Sequence, residues 1–376
     1  MKIALVNLTG GGLSGGYLKY LRKLLPRLRR NSAVSKLHVF LPPGAQPLLS
    51  PWLQEADGFT CEDTRQGRAL LKQQLRELSP DVVFFPSYRW LDLGGRPTVS
   101  MIRNMEPLAR PIAGNRLIDM AKNLGRAYAA WQACRHASRV IAVSNYVRDF
   151  LIHTWHVPAE RLGVVYHGVD SPRQGAFMPT PANLGGLGPQ PFLFTAGSIR
   201  PARGLEDLVD ALGTLATAQG FRPPLVVAGE LNSPALSYHQ QIMARAKRRG
   251  VAEQLHWAGQ LTTEEMSWCY THCQAMVMTS RVEACPNVAL EALSHGCRSV
   301  AATNPPLPEF FADAASYYTP GDGDSLAAAL MKAVQTPAGE REAFSQLAQQ
   351  RAGQFTWEKT AAGTLREIKL ALRQGK

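Results

Sequence analysis

Cysteines and long apolar runs are scarce in this sequence. Only 6 of its 376 residues are cysteine, and they lie scattered in mostly apolar or helical contexts, as reduced cytosolic thiols do. No apolar run approaches the ~20 residues that a membrane-spanning helix needs, which argues against an integral membrane protein. The opening apolar stretch, residues 1–7, is a predicted first strand and is too short for a signal peptide. We therefore expect a cytoplasmic protein.

Clusters of metal-ligating residues are also missing. Cys269 and Cys273 lie one helical turn apart beside His272, but no further ligands follow at the spacing that a zinc site needs. Asp322 and Asp324 flank a glycine before a predicted helix, so a turn with a helix cap explains them better than a bound cation. The sequence therefore predicts no metal site.

Acidic residues are outnumbered, since 41 Lys and Arg against 29 Asp and Glu give a net charge of +12. No nucleic-acid-binding motif accompanies this charge, so nucleic acid is not an expected partner. The densest basic cluster lies on the predicted first helix, whose leucines recur at helical spacing. Two interpretations stay open: an ordinary helix with its charges in water, or adsorption to an anionic membrane surface. The cluster comprises Lys19, Arg22, Lys23, Arg27, Arg29 and Arg30.

Predicted strands alternate with predicted helices along the chain, which is typical of parallel sheets covered on both faces. The Pro- and Gly-rich segment 173–190 predicts a linker. We therefore predict an α/β protein with two Rossmann-like, doubly wound domains, residues 1–172 and 191–356, which face a central cleft at the carboxyl ends of their sheets. The strands are predicted at 2–7, 36–41, 82–86, 98–102, 139–143 and 163–166, and at 192–196, 225–228, 255–257, 275–278 and 299–302.

A glycine-rich loop follows the first predicted strand and contains the pattern G-x-G-x-x-G at Gly10, Gly12 and Gly15. A nicotinamide site would also need an acidic residue at the end of the second strand to hold the ribose. That strand ends in V-F-L-P-P-G (39–44), which contains no acid. The pattern thus predicts a loop whose backbone approaches a ligand closely, and it does not predict a dinucleotide site.

Two glutamates, Glu283 and Glu291, stand out in the segment T-S-R-V-E-A-C-P-N-V-A-L-E-A-L-S-H-G-C-R-S-V-A-A-T-N (279–304). An apolar run before it predicts a buried strand, and Pro286 and Gly296 suit the start and end of a helix. We expect Glu283 in the strand-to-helix loop and Glu291 two turns into the helix, on the same crevice. The interval itself is not diagnostic, since two solvated glutamates would satisfy it equally. The N–H groups that open this helix, and that favour phosphate or sugar oxygens, are those of Cys285, Asn287 and Val288.

The residues around the two glutamates resemble the donor-sugar signature of the family-4 retaining glycosyltransferases, whose fold is called GT-B. The segment A-G-S-I-R-P-A-R-G (196–204) is similar to that family's diphosphate-binding loop. The resemblance spans roughly residues 81–370 through several motifs in the right order, which makes it specific. The other matching segments are V-I-A-V-S-N (140–145), V-V-Y-H-G-V-D (164–170), L-P-E (307–309) and F-T-W-E (355–358).

The resemblance implies a retaining glycosyltransferase that moves a sugar from a nucleoside diphosphate sugar to a glycan or lipid-linked acceptor, in cell-surface polysaccharide or lipopolysaccharide synthesis. It also implies that no metal or other cofactor is needed, and that the last helix, residues 357–376, crosses back to the first domain. A lipid-linked acceptor would place the enzyme on the inner face of the membrane. Two alternatives on the same fold stay open: an epimerase-like enzyme that needs no acceptor, and a nucleotide-sugar-binding protein without turnover.

The resemblance also assigns roles to residues where the motifs match. Glu283 is expected to contact the donor sugar, and Glu291 the ribose. Arg200 and Arg203 are expected to neutralise the charge that grows on the leaving diphosphate. The other expected donor-binding residues are Gly12, Gly15, Gly197, Ser198, Glu230, Ala284, Cys285, Pro286, Asn287 and Val288.

The sequence departs from the family pattern at two places. Ser198 stands where members usually have Arg, so we expect Arg200 to supply the missing charge. Many members have a His after the fourth strand of the first domain, and Arg103 and Asn104 occupy that position here. We expect Arg103 to stabilise the departing phosphate and Asn104 to hydrogen-bond a sugar hydroxyl, which makes both candidate catalytic residues.

Overall fold

The computed structural model divides the chain into two compact units, each with its own parallel sheet. Unit 1 comprises Met1–Leu108, Ile118–Gly168 and Thr356–Lys376, and unit 2 comprises Ala109–Leu117 and Val169–Phe355. The residues that the structure describes are 1–8, 15–53, 58–109, 117–172, 175, 178–187 and 190–374.

Unit 1 contains seven parallel strands that are short and mostly apolar, because both faces of the sheet are covered. They are β1 (Lys2–Val6), β2 (Lys36–Leu41), β3 (Gly58–Thr60), β4 (Val82–Phe85), β5 (Thr98–Ile102), β6 (Arg139–Ala142) and β7 (Leu162–Val164). The order is β3-β2-β1-β4-β5-β6-β7, so the winding reverses between β1 and β4. Ligands of doubly wound folds bind at such a switch point. The helices are α1 (Gly15–Arg29), α2 (Gln46–Leu49), α3 (Arg65–Leu78), α4 (Leu117–His136) and α5 (Asn145–His153).

Unit 2 contains six parallel strands that are also short and mostly apolar. They are β8 (Leu193–Ala196), β9 (Leu225–Ala228), β10 (Leu255–Gly259), β11 (Ala275–Met278), β12 (Ser299–Ala302) and β13 (Ser316–Tyr318). The order is β10-β9-β8-β11-β12-β13, which places the switch point between β8 and β11. The helices are α6 (Leu205–Gln219), α7 (Ser233–Arg248), α8 (Thr263–His272), α9 (Asn287–Ser294), α10 (Leu307–Phe311), α11 (Gly323–Gln335) and α12 (Ala338–Ala352).

The last helix, α13 (Trp357–Gln374), belongs to unit 1. Its Glu367 is 1% exposed and accepts a hydrogen bond from Nε of Arg139 on β6 at 2.9 Å. A Cβ on Gly163 of β7 would lie 2.2 Å from the Glu367 carboxyl carbon, so glycine makes room for this buried ion pair. A buried charge is tolerated only when it is paired in this way.

All eleven predicted strands are present, with ends that differ from the prediction by at most two residues. The sequence missed β3 and β13, which lie at the edges of the two sheets. Neither is a buried apolar run of the kind that predicted the other strands, since their sequences are G-F-T and S-Y-Y.

Helix α1 buries Leu21, Leu24, Leu25 and Leu28 in unit 1, whereas Leu18 is half-buried. Three of its basic side chains are held by the protein itself. The guanidinium of Arg22 lies 4.9 Å from the ring centroid of Trp52, and Arg29 donates to the Trp52 carbonyl oxygen at 3.0 Å. Arg27 pairs with Glu358 of α13 at 2.6 Å. No helix in the part of the chain that the structure describes is long and apolar enough to cross a membrane.

Candidate active site

Two glycines bring the carboxyl ends of β8, β9 and β10 close together. The Gly197 N–H donates to the Ala228 carbonyl oxygen at 2.9 Å, and the Gly229 N–H donates to that of Gly259 at 2.8 Å. A Cβ on Gly229 would lie 2.1 Å from the Gly197 carbonyl oxygen, so no side chain fits there. Gly197 has a φ of +131°, and a Cβ on it would meet the guanidinium of Arg203. The two glycines therefore form the tight base of a site at the sheet edge.

Arg203 and Glu283 belong to separate sequence motifs. Their side chains are in contact in unit 2. Nη1 of Arg203 donates to Oε1 of Glu283 at 2.7 Å and to Oγ of Ser280 at 2.9 Å. The Arg203 and Glu283 side chains are 16% and 18% exposed, so a ligand can reach a pair that is partly shielded from water. The Thr279 hydroxyl donates to the Arg203 carbonyl oxygen at 2.7 Å. The loop after β8 is therefore fastened to the loop after β11 at the switch point.

A second ion pair, which the sequence analysis missed, fixes the same two loops. The Arg281 N–H donates to the Ala202 carbonyl oxygen at 2.8 Å, and the Arg281 guanidinium binds both oxygens of Asp207 at 2.7 and 2.5 Å. Asp207 is 3% exposed and also accepts from the Tyr318 hydroxyl and the Gly321 N–H, both at 2.9 Å. Burial lowers the pKa of Arg281, but its contacts with Asp207 outweigh this and the pKa is raised. Arg281 therefore stays charged, and its contacts hold the loops after β8 and β11 together.

Glu291 lies in the second turn of α9, as predicted. Pro286 occupies the position just before the helix instead of its first turn, and Gly296, with a φ of +64°, ends it as predicted. The hydroxyl of Tyr270 on α8 donates to Oε2 of Glu291 at 3.0 Å. Burial, followed by the Glu291 carboxylate, raises the pKa of Tyr270 well above its usual value, so this phenol stays a donor. Tyr270 could not be identified from local sequence, because its contact with Glu291 joins two helices.

The other predicted donor-binding residues lie on the same loops of unit 2. Ser198 and Arg200 are exposed on the loop after β8, and Glu230 is exposed directly after Gly229. The residues between Glu283 and α9, together with its first turn, are buried or half-buried. They are Ala284, Cys285, Asn287 and Val288.

In unit 1, Arg103 follows β5 and lies over an aromatic ring. Its guanidinium carbon is 3.4 Å from the ring centroid of Tyr17 on α1. Burial lowers the pKa of Arg103, and the nearby phenols of Tyr17 and Tyr20 oppose this shift. Asn104 is exposed, and its Oδ1 accepts the Glu106 N–H at 3.0 Å within its own turn. Arg103 is thus positioned by packing, whereas Asn104 has its oxygen engaged locally.

Two further polar side chains lie at the switch point of unit 1. Asn7 follows β1 and is 0% exposed, and Ser87 follows the neighbouring β4 and is 2% exposed. Neither the amide atoms of Asn7 nor Oγ of Ser87 has a hydrogen-bond partner among the described residues. The hydroxyl of Tyr17, a residue that is 1% exposed, also has no hydrogen-bond partner among the described residues. Buried polar atoms are normally satisfied, and doubly wound folds bind ligands at the carboxyl ends of strands at a switch point, so Asn7 and Ser87 are candidate ligand contacts. The sequence signal was a polar residue at the end of an apolar strand.

The glycine loop of the first domain is described only at its last position. Gly10 and Gly12 lie outside the described residues, and Gly15 opens α1 at the surface. A Cβ on Gly15 would meet no atom within 4 Å. Among the described residues, no group of three or more His, Cys, Asp or Glu side chains is placed to hold a metal ion. Independence of metal stays a prediction from the family resemblance.

Family models decide the classification of the chain. Residues 182–351 match the model for glycosyl transferases group 1, and residues 15–173 match the model for glycosyltransferase family 4. The chain belongs to the family-4 glycosyltransferases, a retaining family. The sequence resemblance is therefore confirmed.

Two curated proteins illustrate the relationships of this family-4 glycosyltransferase. It is 25% identical over 239 residues to O-antigen chain mannosyltransferase B of Escherichia coli, covering 62% of this chain and 61% of that protein. It is 29% identical over 269 residues to D-inositol 3-phosphate glycosyltransferase of Segniliparus rotundus, covering 68% and 58%. The chain thus spans about three fifths of the length of these relatives.

Solved structures match the family-4 glycosyltransferase over nearly its whole length. Anabaena Alr3699/HepE in complex with UDP has a TM-score of 0.74 at 19% identity, covering 98% of this chain and 100% of the other. WaaG, described as a glycosyltransferase involved in lipopolysaccharide biosynthesis, has a TM-score of 0.67 at 17% identity, covering 98% and 99%. The predicted fold class, GT-B, is confirmed.

Proposed function

We propose that this family-4 glycosyltransferase moves a hexosyl or related sugar from a nucleoside diphosphate sugar to a glycan or lipid-linked acceptor, with retention of configuration. The observation that carries the proposal is the Arg203–Glu283 pair beside Gly197 at the switch point of unit 2. A relative named O-antigen chain mannosyltransferase B and the neighbour WaaG, named for lipopolysaccharide biosynthesis, support an acceptor in cell-surface polysaccharide or lipopolysaccharide. Neighbour structures that contain UDP or UDP-glucose support a nucleotide-sugar donor.

In this proposal Arg203 stabilises the leaving diphosphate. Within the described residues, its side-chain hydrogen bonds all use Nη1, which leaves Nε and Nη2 to donate to phosphate oxygens. Negative charge grows on the diphosphate as its bond to the sugar breaks, so a preorganised guanidinium lowers the barrier. Exposed Arg200 adds a second positive charge at the mouth of the site. Glu283 holds Arg203 with Oε1, and its second oxygen faces the donor sugar hydroxyls.

The transfer step needs no separate general base, because the leaving phosphate accepts the proton. The bond between the anomeric carbon and the phosphate oxygen breaks, and the acceptor oxygen forms its bond on the same face of the sugar. The proton of the acceptor hydroxyl goes to the departing phosphate oxygen. No catalytic histidine is then needed at the position of Arg103, whose charge supports the departing phosphate, while Asn104 binds a sugar hydroxyl through its amide group.

The remaining residues would bind the two substrates. Glu291, oriented by Tyr270, takes the ribose hydroxyls of the donor. Asn7 and Ser87 take hydroxyls of the acceptor in unit 1, since their side-chain polar atoms have no partner among the described residues. A lipid-linked acceptor would hold the enzyme at the inner face of a membrane.

Turnover with and without acceptor tests the proposal. A thermal-shift panel that includes UDP-glucose and GDP-mannose should reveal the donor, since a ligand at ~100 times its Kd adds ~2.7 kcal/mol to the free energy of unfolding. Release of the nucleoside diphosphate should then rise when a lipid or glycan extract is added. An epimerase would convert the donor without any acceptor, and a binding protein would shift without turnover. Either result would overturn the proposal.

A further inference from the structure

The thiols of Cys273 and Cys297 are in contact in unit 2. Their sulfur atoms are 3.3 Å apart, so that one thiol donates a hydrogen bond to the other. Cys297 is 5% exposed and Cys273 is half-buried. None of the six cysteines, which all lie within the described residues, forms a disulfide. The pair has no role in the proposed transfer reaction, and two thiols in contact need only a small movement to form a bond.

The pair lies where two neighbouring strands begin. Cys273 comes between α8 and β11, and Cys297 comes between α9 and β12. Because β11 and β12 are parallel with Met276 opposite Ser299, extending this register places Cys297 diagonally across from Cys273. Neighbouring strands lie ~4.8 Å apart and each residue advances ~3.3 Å, which gives a Cα separation of roughly 5.8 Å. A disulfide accepts a separation of about 4.4–6.8 Å, so the backbone positions suit the bond.

A bond between these cysteines would close a loop around the proposed donor-binding residues. Residues 273–297 comprise β11, the loop that contains Glu283, and α9 with Glu291. Tyr270, whose hydroxyl donates to Glu291, lies one helical turn before Cys273, and its carbonyl oxygen accepts from the Cys273 thiol at 3.7 Å. The bond would therefore hold the ends of α8 and α9 together beside the contact that orients Glu291.

The surroundings of the pair set its accessibility and its reactivity. Both thiols line a cavity of about 620 Å³, which exposed residues such as Arg341 also line, so a small oxidant can reach them. The hydrogen bond with Cys297, and then burial, raise the pKa of Cys273 well above its usual value. Because the thiolate is the reactive form, the pair should react slowly and stay reduced where reductants are plentiful. Such a pair responds to sustained oxidation.

We propose that Cys273 and Cys297 form a reversible disulfide under oxidising conditions, and that this bond stabilises the donor-binding segment and tightens donor binding. With hydrogen peroxide as the oxidant, one thiol becomes a sulfenic acid and one water is released. The second thiol then attacks that sulfur, and the sulfenic oxygen leaves as a second water. A dithiol reductant reverses the reaction. The effect on donor binding rests on the proposed function, whereas formation of the bond does not.

Peptide mapping by mass spectrometry tests formation of the bond. After treatment with hydrogen peroxide, the parent protein should yield a cross-linked peptide pair that contains Cys273 and Cys297, and dithiothreitol should separate it. The melting temperature of the oxidised protein should be higher by roughly 5 °C, because a closed loop restricts the unfolded chain. Cys297→Ala should show neither change. Cys134→Ser, which replaces a cysteine that is 1% exposed on α4, is the matched control and should respond as the parent protein does.

Donor binding gives the second measurement, by titration calorimetry with UDP-glucose and GDP-mannose. The Kd of the nucleotide sugar that binds should fall roughly threefold on oxidation, because a closed segment has less freedom to lose. Dithiothreitol should restore the original Kd. Cys297→Ala should bind equally well before and after oxidation. Since this variant keeps Cys285, it also controls for oxidation of that cysteine in the donor site.

The outcomes separate the disulfide from the proposed function. Absence of the bond after prolonged treatment with peroxide would overturn the proposal, as would a bond between any other pair of cysteines. Equal or weaker donor binding by the oxidised parent protein would overturn the control of donor binding. Failure of both forms to bind either nucleotide sugar would contradict the proposed function, while peptide mapping would still decide whether the bond forms.

Discussion

Replacement of Glu283 by Gln tests the active-site assignment most directly. The variant keeps the size of the side chain but removes the charge that faces Arg203 at 2.7 Å. It also weakens the proposed hydrogen bond from the donor sugar to the second oxygen of Glu283. A hydrogen bond to a charged group contributes about 1.5–3 kcal/mol, so kcat/KM should fall roughly 10- to 150-fold. Because the pair lies at the surface of a loop and not in the core, the melting temperature should change little.

The assay is nucleoside diphosphate release under saturating acceptor, with the donor Kd measured separately. Arg203→Lys is a companion change, since it keeps the charge but loses the forked geometry, and it should lower kcat more than it weakens donor binding. Glu253→Gln, an exposed glutamate of the turn before β10, is the control and should act as the parent protein does. Near-normal kcat/KM in Glu283→Gln would refute the reasoning. So would a loss that is fully explained by unfolding.

Three further predictions concern Tyr270, Asn7 and the course of the reaction. Tyr270→Phe removes one hydrogen bond to Glu291, which contributes about 0.5–1.5 kcal/mol, so the donor Kd should rise roughly 2- to 12-fold by titration calorimetry while kcat changes little. An unchanged Kd would separate Tyr270 from the donor site. Asn7→Ala should raise the KM for acceptor and leave the donor Kd as it is, and equal effects on both substrates would contradict an acceptor role. Activity should survive EDTA, and proton NMR of the product should show the anomeric configuration of the donor. An inverted product would overturn the proposed mechanism.

Local sequence patterns were sufficient for the central strands, because each is a short, buried apolar run between turn signals. Arg203 and Glu283 were assigned through the resemblance of their motifs to the family-4 pattern, because local patterns and spacing alone are not diagnostic for them. The edge strands β3 and β13 were not predicted, since neither G-F-T nor S-Y-Y is a buried apolar run.

The contacts that hold the site loops in place were not predicted, for a different reason. Asp207 and Arg281 are 74 residues apart, and nothing in the local sequence of either one points to the other. Tyr270 and Glu291 are joined across two helices in the same way. Such pairs form because segments far apart in the sequence pack together. Residue spacing along the chain does not predict that packing. Asn7 and Ser87 were visible as polar residues at strand ends, but their burial and lack of partners required the fold.

The contact between Gly229 and the Gly197 carbonyl oxygen also limits how this enzyme can be redesigned. Neither glycine can gain a side chain without moving a strand end or the guanidinium of Arg203. A library that varies these two positions would therefore sample mostly damaged proteins. The exposed neighbours Ser198 and Glu230 carry no such restriction. Selection for a new donor would therefore find its useful changes at Ser198 and Glu230, while Gly197 and Gly229 stay unchanged.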